Sequence, residues 1–206
     1  LLIDLDRVEA NLARAQDYAD RHAIRLRPHV KTHKLPGLAR AQMALGAIGI
    51  TAQKLGEAEA MADGGLGDIF LPYNIIGPAK LARLRALADR VTLSVTCDSA
   101  AVLAGYAETF TSPHKPLTVL VECDTGAGRC GVQTPAQALA LAQTIATAPG
   151  LRWGGLMTYP PRGREAATDA WLIQARDLLA EHGLPPPVIS AGGSPGLYRA
   201  HLVTAA

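Results

Sequence analysis

Cysteine is scarce in this chain of 206 residues: there are three, Cys97, Cys123 and Cys130, an odd number with no CxxC pair among them. That pattern argues against a disulfide framework or a structural zinc site and fits a reducing compartment, so a cytoplasmic protein is expected. An excess of charge of one sign is also lacking, with 20 Lys and Arg against 18 Asp and Glu for a net charge of +2. Such a balance gives no electrostatic case for nucleic acid or an anionic membrane, and a small molecule is the expected partner. No apolar run approaches the roughly 18 residues that a spanning helix needs. The opening "LLIDLD" has neither the basic segment nor the cleavage site of a signal peptide, and it has no initial methionine, so residues 1–206 are expected to be part of a longer chain.

Hydrophobic residues make up 49% of the sequence and charged residues 18%, enough to bury a core, and no linker or low-complexity tract marks a second domain. Short β-branched runs alternate with longer Ala/Leu-rich windows of helical period. A short strand and helix in "LLIDLDRVEANLARAQDYADRHA" are followed by "IRLRPHV", "IGITAQ", "DIFLPYN", "VTLSVTCD", "LTVLVECD", "RWGGLMTYP" and "PVISAGG", each leading into a helical window. Strands apolar on both faces, each followed by an amphipathic helix, predict a parallel sheet built from right-handed crossovers. Counted from "IRLRPHV" there are seven barrel strands. The expected fold is therefore an α/β, TIM-type (β/α)8 barrel whose eighth strand is missing. A doubly wound sheet is the competitor, but the glycine-rich dinucleotide turn that usually marks one is absent.

In a parallel barrel the reactive groups gather at the carboxyl ends of the strands. Those ends carry Lys31, Gln53, Tyr73 with Asn74, Cys97 with Asp98, Asp124 with Thr125 and Arg129, Thr158 with Tyr159, and Gly192 with Gly193. Alternation along "RLRPHVK" puts Arg27, His29 and Lys31 on one face. If that face is the interior, Lys31 enters the barrel mouth, where an amine held out of water among cations stays nucleophilic and forms a Schiff base; otherwise it is a solvated loop lysine like Lys34. "SAGGSP" offers successive N–H groups and the Ser194 hydroxyl, which could cap a helix, as a phosphate cradle, or else makes a tight turn. Arg129 could hold a carboxylate, a phosphate or a ring nitrogen, or pair with Asp124 or Glu122. Tyr159 is a phosphate ligand, an acid/base group or packing. His29 and His33 are four apart, a spacing that does not converge two imidazoles on a strand, so His29 is read as an interior side chain and His33 as a loop residue.

Taken in order, "RPHVKTHK", "ITAQKLGEAEAMADGG", "NIIGPAKLARL", "VECDTGAGRCGV", "GLMTYP" and "SAGGSP" make the whole chain resemble the D-threonine aldolase and D-serine dehydratase family of fold-type III pyridoxal phosphate enzymes. That family is related to the barrel domain of alanine racemases. The resemblance implies that residues 1–206 form a pyridoxal phosphate-binding barrel domain of alanine racemase N-terminal type, lacking a C-terminal β domain. By the same resemblance Lys31 is the catalytic Schiff-base lysine, and Gly192, Gly193 and Ser194, with Tyr159 nearby, take the phosphate. Arg129 faces the ring nitrogen or the substrate carboxylate, and His29 and Gln53 line the cofactor's face.

The implied activity is a lyase acting on small-molecule β-hydroxy-D-amino acids, with retro-aldol cleavage to glycine and an aldehyde ranked ahead of β-elimination to a keto acid and ammonia. A divalent metal (Mn, Mg or Zn) is expected for the full-length protein, on ligands in the missing domain and none within this chain, and the full-length form is expected to be a homodimer. An amino acid racemase, a non-catalytic pyridoxal phosphate carrier and a phosphate-binding barrel without that cofactor are the other readings.

Overall fold

The apolar runs become strands and the Ala/Leu windows become helices, in the expected alternation. The computed structural model describes residues 2–206. In chain order it contains α1 (Leu5–Arg21), α2 (Pro36–Leu45), β1 (Ile50–Thr51), α3 (Leu55–Asp63), β2 (Asp68–Leu71), α4 (Pro78–Ala88) and β3 (Thr92–Cys97). There follow α5 (Ala100–Thr109), β4 (Leu117–Cys123), α6 (Pro135–Thr147), β5 (Leu151–Thr158), α7 (Glu165–Glu181), β6 (Ile189–Ala191) and a 3-10 helix (Ser194–Leu202). All neighbouring strands are parallel and their spatial order is the chain order, β1-β2-β3-β4-β5-β6. A doubly wound sheet reverses its strand order at a switch point. The sequential order makes this instead an incomplete (β/α) barrel.

Side-chain alternation divides each strand between two environments. Ile69, Leu71, Val95, Val119, Val121 and Leu156 point outward and join Leu84, Leu87, Leu103, Tyr106, Ile145 and Leu172 of the helices in the main core. Phe70, Leu120 and Met157 point inward and form a separate, smaller cluster. Among the described residues the interior is therefore sparsely filled, and it opens into a cavity. Local rules fix the helix starts: α6 begins with a capping box between Thr134 and Gln137 and has Pro135 in its first turn. Tyr106, fully buried on α5, donates its hydroxyl to Thr96 O at 3.1 Å and accepts from Ile75 N at 3.0 Å. It thereby holds the loop after β2 against β3.

Two expectations need correction. The opening "LLID" is not a strand: residues 2–4 are irregular, Leu2 is fully exposed, and Asp4 caps α1 by accepting from Arg7 N at 3.1 Å; Leu1 lies outside the described residues. A short acidic side chain before an amphipathic run favours this N-cap over continued extension. The first of the seven expected barrel strands, "IRLRPHV", reduces to one parallel bridge between His29 and Thr51. Thr51 N donates to Pro28 O and Val30 N to Thr51 O, each at 2.8 Å, and Ile48 N donates to Leu26 O at 2.9 Å. Pro28 has no N–H to return the next bond, so the segment runs beside β1 without a continuous ladder.

Candidate active site

In the segment before Lys31, Val30 is fully buried in the main core, while Arg27, His29 and Lys31 line the cavity; Leu26 and Pro28 line it as well, so the segment is not divided cleanly between two faces. The chain then turns tightly, with Lys34 N donating to Val30 O at 2.8 Å and Lys31 N to His29 Nδ1 at 3.3 Å. The turn separates the two lysines. Lys34 Nζ pairs with Glu57 Oε1 at 3.1 Å, and Glu57 Oε2 accepts from Gln53 N at 2.9 Å. Among the described residues no carboxylate pairs with the Lys31 amine. Lys31 is exposed, contrary to the expectation of an amine withdrawn from water: the mouth of the incomplete barrel is open. Burial, and then the positive charge of Lys31, push the half-buried His29 imidazole down to about 4, so it is neutral at pH 7.

The ends of β2, β3 and β4 are tied together by carboxylates. Asn74 Nδ2 donates to Asp98 Oδ1 at 2.8 Å, and Gly131 N donates to Asp98 Oδ2 at 3.2 Å. Asp124 Oδ1 accepts from the N–H groups of Gly126, Ala127 and Gly128 at 2.9, 2.8 and 3.1 Å. Partial burial alone would raise its carboxyl, but these donors and Gln133 hold it below the usual range. Asp124 is thus spent inside its own loop, and Arg129 instead lies 3.6 Å from Oε1 of the buried Glu122. The Arg129 guanidinium carbon also stands 4.5 Å from the centroid of the Tyr159 ring, within cation–π range.

Tyr159 follows β5, whose last residue, Thr158, donates its hydroxyl to Cys123 O at 2.8 Å and shares a 2.9 Å contact with the Thr125 hydroxyl. On its other side the Tyr159 ring packs on Gly193, where a Cβ would stand 2.6 Å from Cε2. Gly192 has φ of +142°, a conformation that side chains disfavour, and nothing lies within 4 Å of where its Cβ would be. The expected helix cap does not form: Gly193 is the N-cap of the 3-10 helix, and no side chain caps it. Ser194 is exposed in its first turn. The extended backbone at Gly193 carries Ser194 past the position from which its oxygen could reach back to the helix N–H groups.

Lys31, His29, Gln53, Arg129, Tyr159, Gly192, Gly193 and Ser194 all line one open cavity of about 1500 Å³. Sequence reasoning had not given Glu122 or Cys130 a place in it. Cys130 Sγ donates to Glu122 Oε1 at 2.9 Å, and both residues line the same cavity. The signal was present in "LTVLVECD", where Glu122 shares its face with Thr118 and Leu120, which makes it a charge on the inner side of a strand.

These residues fit a phosphorylated aromatic aldehyde. Such a group needs an amine without a competing carboxylate, a phosphate cradle free of Cβ atoms, a nearby cation and neutral side chains along its plane. Lys31, the Gly192–Gly193 turn, Arg129, and His29 with Gln53 meet these needs in turn. Among the described residues no group of three or more His, Cys, Asp or Glu comes together to hold a metal. No helix is long and apolar enough to cross a membrane.

Residues 3–205 match the family described as the alanine racemase N-terminal domain. The chain is 40% identical over 205 residues to a D-threonine aldolase of Arthrobacter sp, covering 94% of this chain and 54% of the relative. It is 36% identical over 209 residues to a D-threo-3-hydroxyaspartate dehydratase of Delftia sp. (strain HT23), again covering 94% and 54%. The crystal structure of a D-threonine aldolase from Filomicrobium marinum superposes with a TM-score of 0.94 at 32% identity, covering 99% of this chain and 58% of that one. The chain thus spans about half the length of the curated relatives it matches.

Proposed function

The chain belongs to the alanine racemase N-terminal domain family, and from that premise we propose that it is the pyridoxal phosphate-binding barrel of a lyase acting on β-hydroxy-D-amino acids, cleaving them to glycine and an aldehyde. The observation that carries this reading is that Lys31, the Gly192–Gly193 turn and the Arg129–Tyr159 pair, all beyond the carboxyl ends of their strands, line one cavity. Retro-aldol cleavage is ranked above dehydration on the 40% identity to the Arthrobacter aldolase against 36% to the Delftia dehydratase.

Pyridoxal phosphate, when bound, supplies an aldehyde for an amino group and an electron sink for the bond broken at the substrate's α carbon. Lys31 presents the amine to that aldehyde carbon. Gly192, Gly193 and Ser194 receive the phosphate on backbone N–H groups at the start of the 3-10 helix, where the first donors have no intrahelical partner. Arg129 sets a permanent positive charge against the ring nitrogen or the substrate carboxylate. Because a guanidinium does not give up its proton, it leaves that nitrogen unprotonated and limits side reactions. Neutral His29, with Gln53, flanks the plane of the ring without adding charge. For the whole protein the proposal includes a divalent metal (Mn, Mg or Zn) that polarises the substrate's β-hydroxyl, and a homodimer.

The test uses the full-length protein. Borohydride treatment after incubation with pyridoxal phosphate should fix the label on Lys31, as read by peptide mapping, and D-threonine with a divalent metal should yield glycine and acetaldehyde. A keto acid and ammonia from a β-hydroxy-D-amino acid would move the assignment to dehydration. A label anywhere other than Lys31 would overturn the site.

A further inference from the structure

Glu122 stands on the inner face of β4 and is 3% exposed. A carboxylate withdrawn from water persists only where partners compensate its lost hydration. Its partners are two consecutive residues of the loop that follows: the Cys130 thiol donates to Oε1 at 2.9 Å, and Arg129 Nη2 lies 3.6 Å from the same oxygen. Burial raises the Glu122 carboxyl, and Cys130 and Arg129 oppose that shift. Arg129 itself is half-exposed, with its guanidinium carbon 4.5 Å from the Tyr159 centroid. The buried carboxylate and the ring face are thus the two groups against which this long, flexible cation is set.

The backbone of the same loop is held by other carboxylates. Asp124 binds the N–H groups of Gly126, Ala127 and Gly128, and Asp98 binds that of Gly131. Glu122 therefore acts on the side chains of residues 129 and 130, while the course of the loop is set independently.

We infer that Glu122 is a positioning residue: its carboxylate, shared by Cys130 and Arg129, fixes the Arg129 guanidinium over the Tyr159 ring and so determines how that cation meets a ligand in the cavity. The inference rests on the reading of this cavity as the pyridoxal phosphate site. It assigns Glu122 no contact with the cofactor.

Full-length protein freed of cofactor is compared as wild type, Glu122→Gln, Arg129→Ala and the double variant. Glu122→Gln should weaken pyridoxal phosphate binding roughly tenfold when Arg129 is present and less than twofold in the Arg129→Ala background, because contacting residues couple and distant ones add. Equal losses in both backgrounds would overturn the inference, since a merely structural role gives that result. A second readout needs no cofactor. In Glu122→Gln, alkylation of Cys130 at pH 8 and phenylglyoxal modification of Arg129, both mapped by mass spectrometry, should run several-fold faster, because the group that opposes thiolate formation and tethers the guanidinium has lost its charge. Unchanged rates would also overturn the inference. Faster rates in a protein whose wild type takes up no pyridoxal phosphate would retain the Glu122 tether and sink the functional reading alone. Should Glu122→Gln fail to fold, Glu122→Asp, which withdraws the charge by one methylene, is read by the same two measurements.

Discussion

An alanine at position 193 would press directly on the wall of the proposed phosphate site. The backbone there has φ of 178°, an extended conformation open to any residue, so Gly193→Ala carries no conformational strain. Its Cβ, however, would stand 2.6 Å from Cε2 of Tyr159, 3.3 Å from Cδ2 and 3.4 Å from Cζ. Carbon atoms in contact sit about 3.5–4.0 Å apart, so the ring must retreat by about 1 Å. That retreat moves Tyr159 relative to Arg129 and forfeits part of a cation–π contact worth about 0.5–1 kcal/mol at an exposed site. Overpacking costs about 1–3 kcal/mol, and the low end applies because the outer part of a half-buried ring yields rather than the backbone. A stability loss of about 1 kcal/mol is expected, a fall in Tm of about 2–4 °C for a chain of this size. Binding should suffer more than folding, because the ring shifts against Arg129 and the added methyl stands on the turn proposed to receive the phosphate; pyridoxal phosphate affinity should fall at least about tenfold. Urea unfolding and absorbance titration of the full-length variant measure the two quantities. Wild-type affinity would refute the reasoning about the ring, and a stability loss above about 3 kcal/mol would mean that the strand ends had moved.

Other substitutions separate folding from binding. Gly155→Ala should be far more damaging than Gly193→Ala: its φ is +112°, and its Cβ would stand 1.9 Å from Val188 O, so strain and a backbone clash between β5 and β6 together should cost at least about 3 kcal/mol in urea unfolding. Lys31→Ala should abolish borohydride-fixed cofactor, whereas Lys34→Ala should keep it and lose at most about 1 kcal/mol with its partly exposed Glu57 pair, as followed by labelling and unfolding midpoints. His29 stays neutral in the fold while the unfolded imidazole takes up a proton, so stability should fall as pH drops from 6.5 toward about 4. The loss should be about 1 kcal/mol after allowing for solvent screening of a half-exposed ring, and His29→Gln should flatten that part of the profile of urea midpoints against pH.

The alternation of strands and helices was legible because it rests on periods of 2 and 3.6 that any ten-residue window displays. The period of 2 holds only around His29, Val30 and Lys31, where Val30 enters the core and its neighbours line the cavity; upstream, Pro28 denies the segment a ladder and Leu26 and Pro28 line the cavity beside Arg27. The Ser194 cap was misjudged because a local rule was applied where the path of Gly192 and Gly193 decides the geometry. The fastening of the Arg129 loop depends on which strands are neighbours. Residue 98 can receive Gly131 N, and residue 122 can lie beneath Cys130, because β3 pairs with β4 in a register that sets Cys97 beside Val121, and the loop then folds back over both strand ends. A single sequence carries the alternation but not that register, so Arg129 was visible as a cation with several possible partners, and the choice among them was fixed by the sheet. Asp124, the acid nearest to Arg129 in the sequence among the candidates, binds the loop's own backbone, which leaves the guanidinium to the inner carboxylate of Glu122, two residues earlier on β4.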